Sequence, residues 1–173
     1  MINFKDISYL KKGNKKQIES YNILTKIDIF NILKEYRPIL VGTIPLEIDT
    51  ENSDLDIVCQ VYDFEEFKQI LQDNFSTYRN FKIINKDTDI IVCNFIEDNM
   101  EIEIYASNIE SDKSNGYRHM IIEYKLLKLY GDQFKEEVIK LKREGLKTEP
   151  AFAKMLNLNG DPYEKLLEFE DYL

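Results

Sequence analysis

The first 36 residues carry apolar side chains at a helical spacing. Apolar positions recur every three residues, at Ile18, Tyr21, Leu24 and Ile27. This pattern predicts a first helix, and Asp28 can cap a second short helix that continues to Tyr36. Because proline disfavours the helical conformation of the residue before it, Pro38 predicts an extended Arg37 and the start of a strand.

The next segment changes from helical spacing to short runs typical of β-strands. Residues 38–41 are apolar, and residues 55–61 alternate between apolar and polar positions, which predicts a strand at each place. Residues 42–52 between them show no period and contain glycine, proline and asparagine. The sequence therefore predicts a strand, an irregular loop and a second strand.

A helix and three more strands are expected beyond this pair. Asp63 and Glu66 have capping-box spacing, and the apolar residues that follow predict a helix ending near Asn74. Three later runs are rich in β-branched and aromatic residues and predict strands at 81–84, 89–95 and 100–105. The sheet core is thus expected within residues 37–106.

The last third of the chain returns to helical spacing. Residues 117–130 predict a helix that ends at Gly131, and Asp132 can cap the next one. Thr148 and Asp161 are natural caps for two short final helices. Because no repeat or low-complexity linker separates the parts, we expect one domain over residues 1–173, with N-terminal helices at 1–36 and a helical part at 116–173.

Composition and charge limit the expected cellular compartment and the expected binding partners. The 173 residues are 43% hydrophobic and 32% charged, which is typical of a folded, well-solvated domain without a membrane segment. The net charge of −9 repels a phosphate backbone and disfavours nucleic acid as a partner. Cys59 and Cys93 lie in apolar runs without zinc-site spacing, so we expect buried thiols in a cytoplasmic protein.

Two aspartates at alternate positions carry the clearest chemical signal. Side chains at i and i+2 of a strand project from the same face, so Asp54 and Asp56 converge while Leu55 and Ile57 face the core. Like charges so close together repel each other unless solvent or a cation lies between them. Oxygen ligands favour a hard ion such as Mg²⁺, or Mn²⁺ in its place. The alternative is an exposed strand face with two solvated acids.

A third carboxylate is available on a later strand. Glu101 and Glu103 also have alternating spacing, so both project from one face of the strand predicted at 100–105. If that strand lies beside the aspartates, either glutamate could complete a metal site. The spacing leaves open which of the two does so.

Residues 41–58 read VGTIPLEIDTENSDLDIV and resemble the signature of the DNA polymerase β-like nucleotidyltransferase superfamily. That signature is a hydrophobic residue, Gly-Ser or Gly-Gly, a loop, and two acids separated by one apolar residue. The resemblance implies an α+β fold, with a mixed β-sheet flanked by helices and a helical C-terminal part. It also implies that Gly42 and Thr43 contact phosphate, and that Asp54, Asp56 and a third acid hold two catalytic metal ions.

Nearly the whole chain also resembles a family of uncharacterised bacterial proteins assigned to this superfamily. The resemblance rests on PILVGTIPLEIDTENSDLDIVC, YRHMIIE and LKTEPAFAKMLNLNGDPYEKLL. Thr43 replaces the usual serine but keeps a hydroxyl. Glu47 stands where the closer family carries glycine, and its charge could repel phosphate. Glu103 or Glu101 replaces the usual third aspartate, and the longer side chain needs a different backbone distance.

Arg118 and His119 are further candidates for a phosphate site, at the start of the helix predicted at 117–130. An arginine can pair bidentately with phosphate, and a histidine can donate to it or relay a proton. The alternatives are an ion pair of Arg118 with Glu123 or another acid, and a structural His119. Lysines 11, 12, 15 and 16 are more typical of a solvated face.

These features predict a metal-dependent nucleotidyltransferase that moves a nucleotide from a nucleoside triphosphate to a hydroxyl acceptor. Asp54, Asp56 and Glu103 would be catalytic, and no protein nucleophile is required. The rival hypothesis is a catalytically silent nucleotide-binding or protein-interaction module on the same fold, which Glu47 favours. A third is one half of a toxin and antitoxin pair, because small members of the superfamily can act with another polypeptide.

Overall fold

A computed structural model gives the fold of residues 2–173, which divide into two compact units. The first unit contains residues 2–41 and Asp54–Ser114. The second contains Gly42–Ser53 and Asn115–Leu173. The loop between the first two strands therefore groups with the C-terminal helices. A single domain over residues 1–173 stays a prediction.

The first unit consists of three helices and a sheet. Asn14 and Gln17 form a reciprocal capping box that starts the first helix. The helices are α1 (Lys15–Lys26), α2 (Ile29–Ile32) and α3 (Phe64–Phe75), with 3₁₀ turns at Ile7–Lys12, Lys34–Tyr36 and Ser111–Lys113. The side chain of Asp63 accepts a hydrogen bond from the backbone amide of Glu66, as its position before α3 predicts.

Five strands form one mixed sheet in the order β1-β2-β5-β4-β3. The strands are β1 (Ile39–Val41), β2 (Leu55–Gln60), β3 (Arg79–Asp87), β4 (Ile90–Glu97) and β5 (Met100–Ser107). β2 and β5 are parallel, and the other three neighbouring pairs are antiparallel. The expected α+β class with a mixed sheet and flanking helices is confirmed.

Alternation along β5 and at the start of β2 separates a core face from a face that carries half-buried residues. Leu55, Ile57, Ile102 and Ile104 are fully buried on the core face, as their spacing predicts. Helix α3 packs there, where the rings of Phe75 and Phe95 stack with centroids 5.0 Å apart. Cys59 and Cys93 are buried free thiols, which confirms their expected packing role.

Two residues near the first strand depart from the expected conformations. Asp28 has φ 53 and ψ 27, in the left-handed region, and makes no capping hydrogen bond to α2. Arg37 is also left-handed rather than extended, with φ 48 and ψ 56. Its backbone amide donates to the carbonyl of Lys34 and closes a 3₁₀ turn. This local turn overrides the pre-proline preference, so the strand begins at Ile39.

The second unit is helical apart from the loop 42–53. Its helices are α4 (Asn115–Arg143), α5 (Thr148–Met155) and α6 (Pro162–Leu167), followed by a 3₁₀ turn at Glu168–Asp171. Gly131 interrupts α4 at φ 77, which confirms the expected break. Asp161 caps α6, whereas Thr148 is the first residue of α5 rather than its cap. Within residues 2–173, no helix has the length and apolarity that a membrane span requires.

Candidate functional site

The two aspartates lie at the start of β2. Asp54 immediately precedes the strand and Asp56 is its second residue. Both are partly exposed, whereas Leu55 and Ile57 have no exposed surface. The backbone alternation expected from the sequence is therefore present for Asp56, between Leu55 and Ile57, and a shared face for Asp54 stays a prediction.

Strand register decides which glutamate lies beside this pair. In the parallel β2–β5 ladder, Asp56 is directly opposite Glu103. Val41 is opposite Asp56 on the other side, in the antiparallel β1–β2 pair. Glu103 is half-buried, whereas Glu101 is exposed. Register therefore brings Glu103, more closely than Glu101, to the position of a third acid.

Asn94 on β4 is a further polar residue in this row. It lies opposite Glu103 in the antiparallel β4–β5 ladder. Its side-chain amide donates to Glu103 Oε2 at 3.1 Å. The sequence interpretation missed Asn94, although an asparagine inside the apolar run IIVCNFI is a visible signal. Asp56, Glu103 and Asn94 thus form a row across three neighbouring strands.

The donors in this row fit a hard divalent cation by their chemistry, since every candidate ligand atom is an oxygen. Among residues 2–173, no group of three or more acidic, histidine or cysteine side chains has metal-binding geometry. The amide of Asn94 holds one oxygen of Glu103 on the side away from Asp56. The metal-ligand roles of Asp54, Asp56, Glu103 and Glu101 stay predictions.

The loop 42–53 contains the expected phosphate turn. Gly42 has φ 82, a left-handed conformation that glycine adopts without steric cost. The Thr43 hydroxyl donates to Ser53 Oγ at 3.2 Å, and the Thr43 carbonyl accepts from the amides of Leu46 and Ile48. The turn is therefore built by its own backbone. Phosphate contact by Gly42 and Thr43 stays a prediction.

Glu47 in this loop has an unusual backbone and a paired charge. Its φ of 57 lies in the left-handed region, where a side chain is strained and glycine is not. Glu47 Oε2 lies 3.0 Å from Lys135 Nζ, so its negative charge is partly compensated.

Arg118 and His119 are both held by other parts of the second unit. Arg118 donates to the carboxylate of Glu170 through Nε and Nη2, which is the alternative ion pair with another acid. His119 is 6% exposed, and its Nε2 lies 2.9 Å from the carbonyl oxygen of Tyr163. Since a carbonyl only accepts, Nε2 carries the proton. These contacts describe structural side chains, and their phosphate-binding roles stay predictions.

Glu123, one turn after His119 on α4, is a buried carboxyl that the sequence suggested only as an ion-pair partner of Arg118. It is 3% exposed, and its Oε1 has no hydrogen-bond partner among residues 2–173. Burial raises its pKa well above the ordinary value of 4.5, the negative charge of Glu149 adds to this, and Lys142 opposes it. The signal was a glutamate on the apolar face of an otherwise amphipathic helix.

A cavity of about 430 Å³ lies elsewhere in the first unit. It is lined by Glu35, Tyr36, Arg37, Gln60, Tyr62, Asp63, Glu66 and Glu110. These residues include the last residue of β2, whereas Asp56 is near its first. The cavity is therefore separate from the carboxylate row.

Several solved structures have a fold similar to that of this chain. The Cid1 poly(U) polymerase with Mg 3′-dATP bound matches with a TM-score of 0.61 and 13% identity, over 92% of this chain and 52% of that chain. A cytoplasmic RNA terminal U-transferase matches at 0.57 and 14%, over 79% and 43%. The polymerase core of TRAMP, an RNA surveillance complex, matches at 0.51 and 14%, over 96% and 52%.

These likenesses establish the nucleotidyltransferase-like fold, and the chain spans about half the length of the structures. They give no support to the expectation that nucleic acid is disfavoured as a partner, since two of the proteins are named for RNA. No curated protein sequence matches the chain. The profile of the family described as "Domain of unknown function (DUF4269)" matches residues 22–169. The chain therefore belongs to the DUF4269 family.

Proposed function

We propose that this protein is a metal-dependent nucleotidyltransferase, which moves a nucleotide from a nucleoside triphosphate to a hydroxyl acceptor. The observation that carries the proposal is the pairing of Asp56 with Glu103 in the parallel β2–β5 ladder. Asp54 lies two residues earlier, where strand alternation predicts the same face as Asp56. The nucleotidyltransferase-like fold supports the same activity.

In this proposal, Asp54, Asp56 and Glu103 hold a divalent ion, with Glu101 as the alternative third acid. Mg²⁺ or Mn²⁺ held there would neutralise charge on the triphosphate and orient it for in-line attack. The carboxylates of this chain supply the ligand oxygens and fix their direction through strand register. No protein nucleophile is needed, because the acceptor hydroxyl attacks the phosphorus directly.

Gly42 and Thr43 are proposed to contact the phosphates. Glycine carries no side chain, so backbone amides of such a turn can approach phosphate oxygens closely. The Thr43 hydroxyl is a further donor, since it can turn from Ser53 towards a phosphate. Glu47 opposes anion binding through its charge, and its ion pair with Lys135 weakens that opposition.

Charge and the similar structures both bear on the class of acceptor. Because the net charge is −9, extended binding along a nucleic-acid backbone gains little from counterion release. A single RNA end needs few phosphate contacts, and two similar structures are named as RNA terminal U-transferases or poly(U) polymerases. An RNA 3′ end is therefore one candidate acceptor. A small molecule and a protein side chain are the other two.

The direct test supplies each labelled nucleoside triphosphate with Mg²⁺ or Mn²⁺, and offers short RNA, total small metabolites and the protein itself as acceptors. Mass spectrometry then finds the added nucleotide mass. We expect transfer by the wild type and none by Asp56→Asn. Metal-dependent nucleotide binding without any transfer would favour the silent binding module instead.

The phosphate turn has its own test. Nucleotide is titrated in Mg²⁺ against the wild type, Gly42→Val and Glu47→Gly. Bulk at Gly42 should weaken binding, because valine is strained at positive φ and blocks the approach to the amides. Loss of the Glu47 charge should strengthen binding if that charge acts on the same phosphates. Equal affinities would show that the nucleotide binds elsewhere.

A further inference from the structure

Asn94 is a buried polar side chain within an apolar strand. It is 7% exposed, while its neighbours Val92, Cys93 and Phe95 are at most 1% exposed. Burying an amide costs free energy unless it is hydrogen-bonded. Its side-chain nitrogen donates to a single carboxylate, that of Glu103. Packing alone therefore does not explain why this buried strand position carries an amide.

The position of Asn94 relative to Glu103 is set by the sheet. Glu103 lies between Asp56 on β2 and Asn94 on β4, and the three residues share one face. The amide engages Oε2 of Glu103 from the β4 side. Asp56 lies on the other side of Glu103, on β2.

A glutamate needs such a restraint more than an aspartate does. It has one more rotatable bond, so holding its carboxylate in one direction costs more side-chain entropy. A donor amide suits a carboxylate neighbour, because the hydrogen bond is charge-assisted. An acid at position 94 would repel Glu103, and an apolar residue would leave Oε2 without this donor.

We propose that Asn94 is a positioning residue, which orients Glu103 as a ligand of the divalent cation and thereby allows a glutamate to serve as the third acid. This inference rests on the proposed function. It adds the hydrogen bond that would restrain the side chain of Glu103, which is longer than that of an aspartate. Residues that orient a metal ligand contribute strongly to affinity, and their loss typically costs about 10- to 100-fold.

The test measures Mn²⁺ affinity by electron paramagnetic resonance in Asn94→Val, Glu103→Gln and the double variant. Valine suits a buried strand, so Asn94→Val should fold, and Asn94→Ala is a second variant that removes the donor. Gln60→Val is the matched control, since Gln60 lies on the same sheet and is also 7% exposed. Thermal unfolding checks that each variant is folded.

We expect Asn94→Val to weaken Mn²⁺ binding about 10-fold, and Gln60→Val to leave it within about 2-fold of the wild type. In the Glu103→Gln background, the valine substitution should cause no further loss, because Asn94 acts through Glu103. A purely structural role would give the same loss in both backgrounds, and that result would overturn the inference.

Two other results separate this inference from the proposed function. If the wild type binds Mn²⁺ and Glu103→Gln weakens binding while Asn94→Val does not, Asn94 is no positioning residue and the proposed function stands. If the wild type shows no Mn²⁺ binding that depends on Asp56 and Glu103, the proposed function fails and the inference fails with it.

Discussion

Two glutamates, one in each compact unit, show how different surroundings give one residue type different chemistry. Glu103 on β5 is half-buried and accepts a hydrogen bond from Asn94 at 3.1 Å. Glu123 on α4 is 3% exposed, and its Oε1 has no hydrogen-bond partner in the described part of the chain. Glu103 has a donor and partial access to solvent, whereas Glu123 is enclosed.

The difference indicates which carboxyl can bind a cation. A ligand must be reachable from solvent, and Glu103 is partly exposed beside Asp56. Burial and the nearby charge of Glu149 raise the pKa of Glu123, so Glu123 holds its proton at pH values where an exposed glutamate has lost it. We infer that the sheet face carries the candidate chemistry and that Glu123 is structural.

The largest effect should come from removing the acids on β2. We expect Asp54→Asn with Asp56→Asn to abolish Mg²⁺ binding, with a loss of more than roughly 100-fold, since even residues that only support a ligand contribute about 10- to 100-fold. The fold should remain intact, because removing two close negative charges relieves repulsion. Calorimetric titration and thermal unfolding measure the two effects.

Glu101→Gln and Glu123→Gln are the controls for this comparison. Glu101 lies on the same face of β5 as Glu103 but is exposed, and Glu123 is buried in the other unit. Both variants should bind Mg²⁺ nearly as the wild type does. Unchanged affinity in the double aspartate variant would refute the metal site, and a large loss in Glu101→Gln would make Glu101 the third acid.

Glu123→Gln should change how stability depends on pH. The pKa of Glu123 is higher in the folded than in the unfolded state, so between those pKa values the folded state binds more protons and stability falls as pH rises. Each unit of pKa difference is worth about 1.4 kcal/mol. Glutamine does not titrate. The free energy of unfolding of the variant should therefore rise relative to that of the wild type from about pH 4.5 upward, and should show no such rise below that pH.

Urea denaturation at a series of pH values measures this slope. The charges that act on the pKa of Glu123 are Glu149 on α5 and Lys142 on α4, and both residues are present in the wild type and in the variant. Glu136→Gln, an exposed substitution on the same helix, should leave the slope unchanged. Parallel curves for wild type and Glu123→Gln would mean that Glu123 is ionised in the folded protein.

A smaller effect is expected at Glu47, where backbone strain and an ion pair oppose each other. Glycine usually lowers stability relative to alanine, but at φ 57 the order should reverse. Glu47→Gly should be more stable than Glu47→Ala by about 1 kcal/mol, because a left-handed non-glycine residue costs roughly 1–2 kcal/mol. Both lose the contact with Lys135 equally. If urea denaturation shows that Glu47→Ala is as stable as Glu47→Gly or more stable, that result would contradict the left-handed conformation of residue 47.

The smallest effect should come from the ion pair of Arg118 with Glu170. Both side chains are partly exposed, so we expect a coupling of about 0.5 kcal/mol in a double-mutant cycle with alanine. The arginine lowers the pKa of Glu170, so this contribution is present at neutral pH and lost as pH falls. Salt should screen it. A coupling of several kcal/mol, or reduced nucleotide binding, would assign Arg118 a larger role.

Local patterns predicted the elements of the fold better than their details. The helix before residue 27, the break at Gly131 and the cap at Asp161 were all confirmed. The predictions of a cap at Asp28 and of an extended Arg37 were wrong, because a turn closed by neighbouring backbone groups overrode the preference of each single residue. Propensity describes one residue at a time, whereas a turn is decided by several together.

The sequence by itself determined which residues share a face. Alternation put Asp56 on one face and Leu55 and Ile57 in the core, since that geometry depends only on the period of a strand. It also determined that Glu101 and Glu103 project alike, and it left the choice between them open.

Only the tertiary structure decided which partners meet across the chain. The register of β2 against β5 puts Glu103 opposite Asp56, and that of β4 against β5 brings Asn94 to Glu103. The contact of Glu47 with Lys135 joins residues 88 positions apart. Such pairings depend on how whole elements pack, and a shift of one residue in register would turn every side chain to the other face. Local spacing holds no information on that choice.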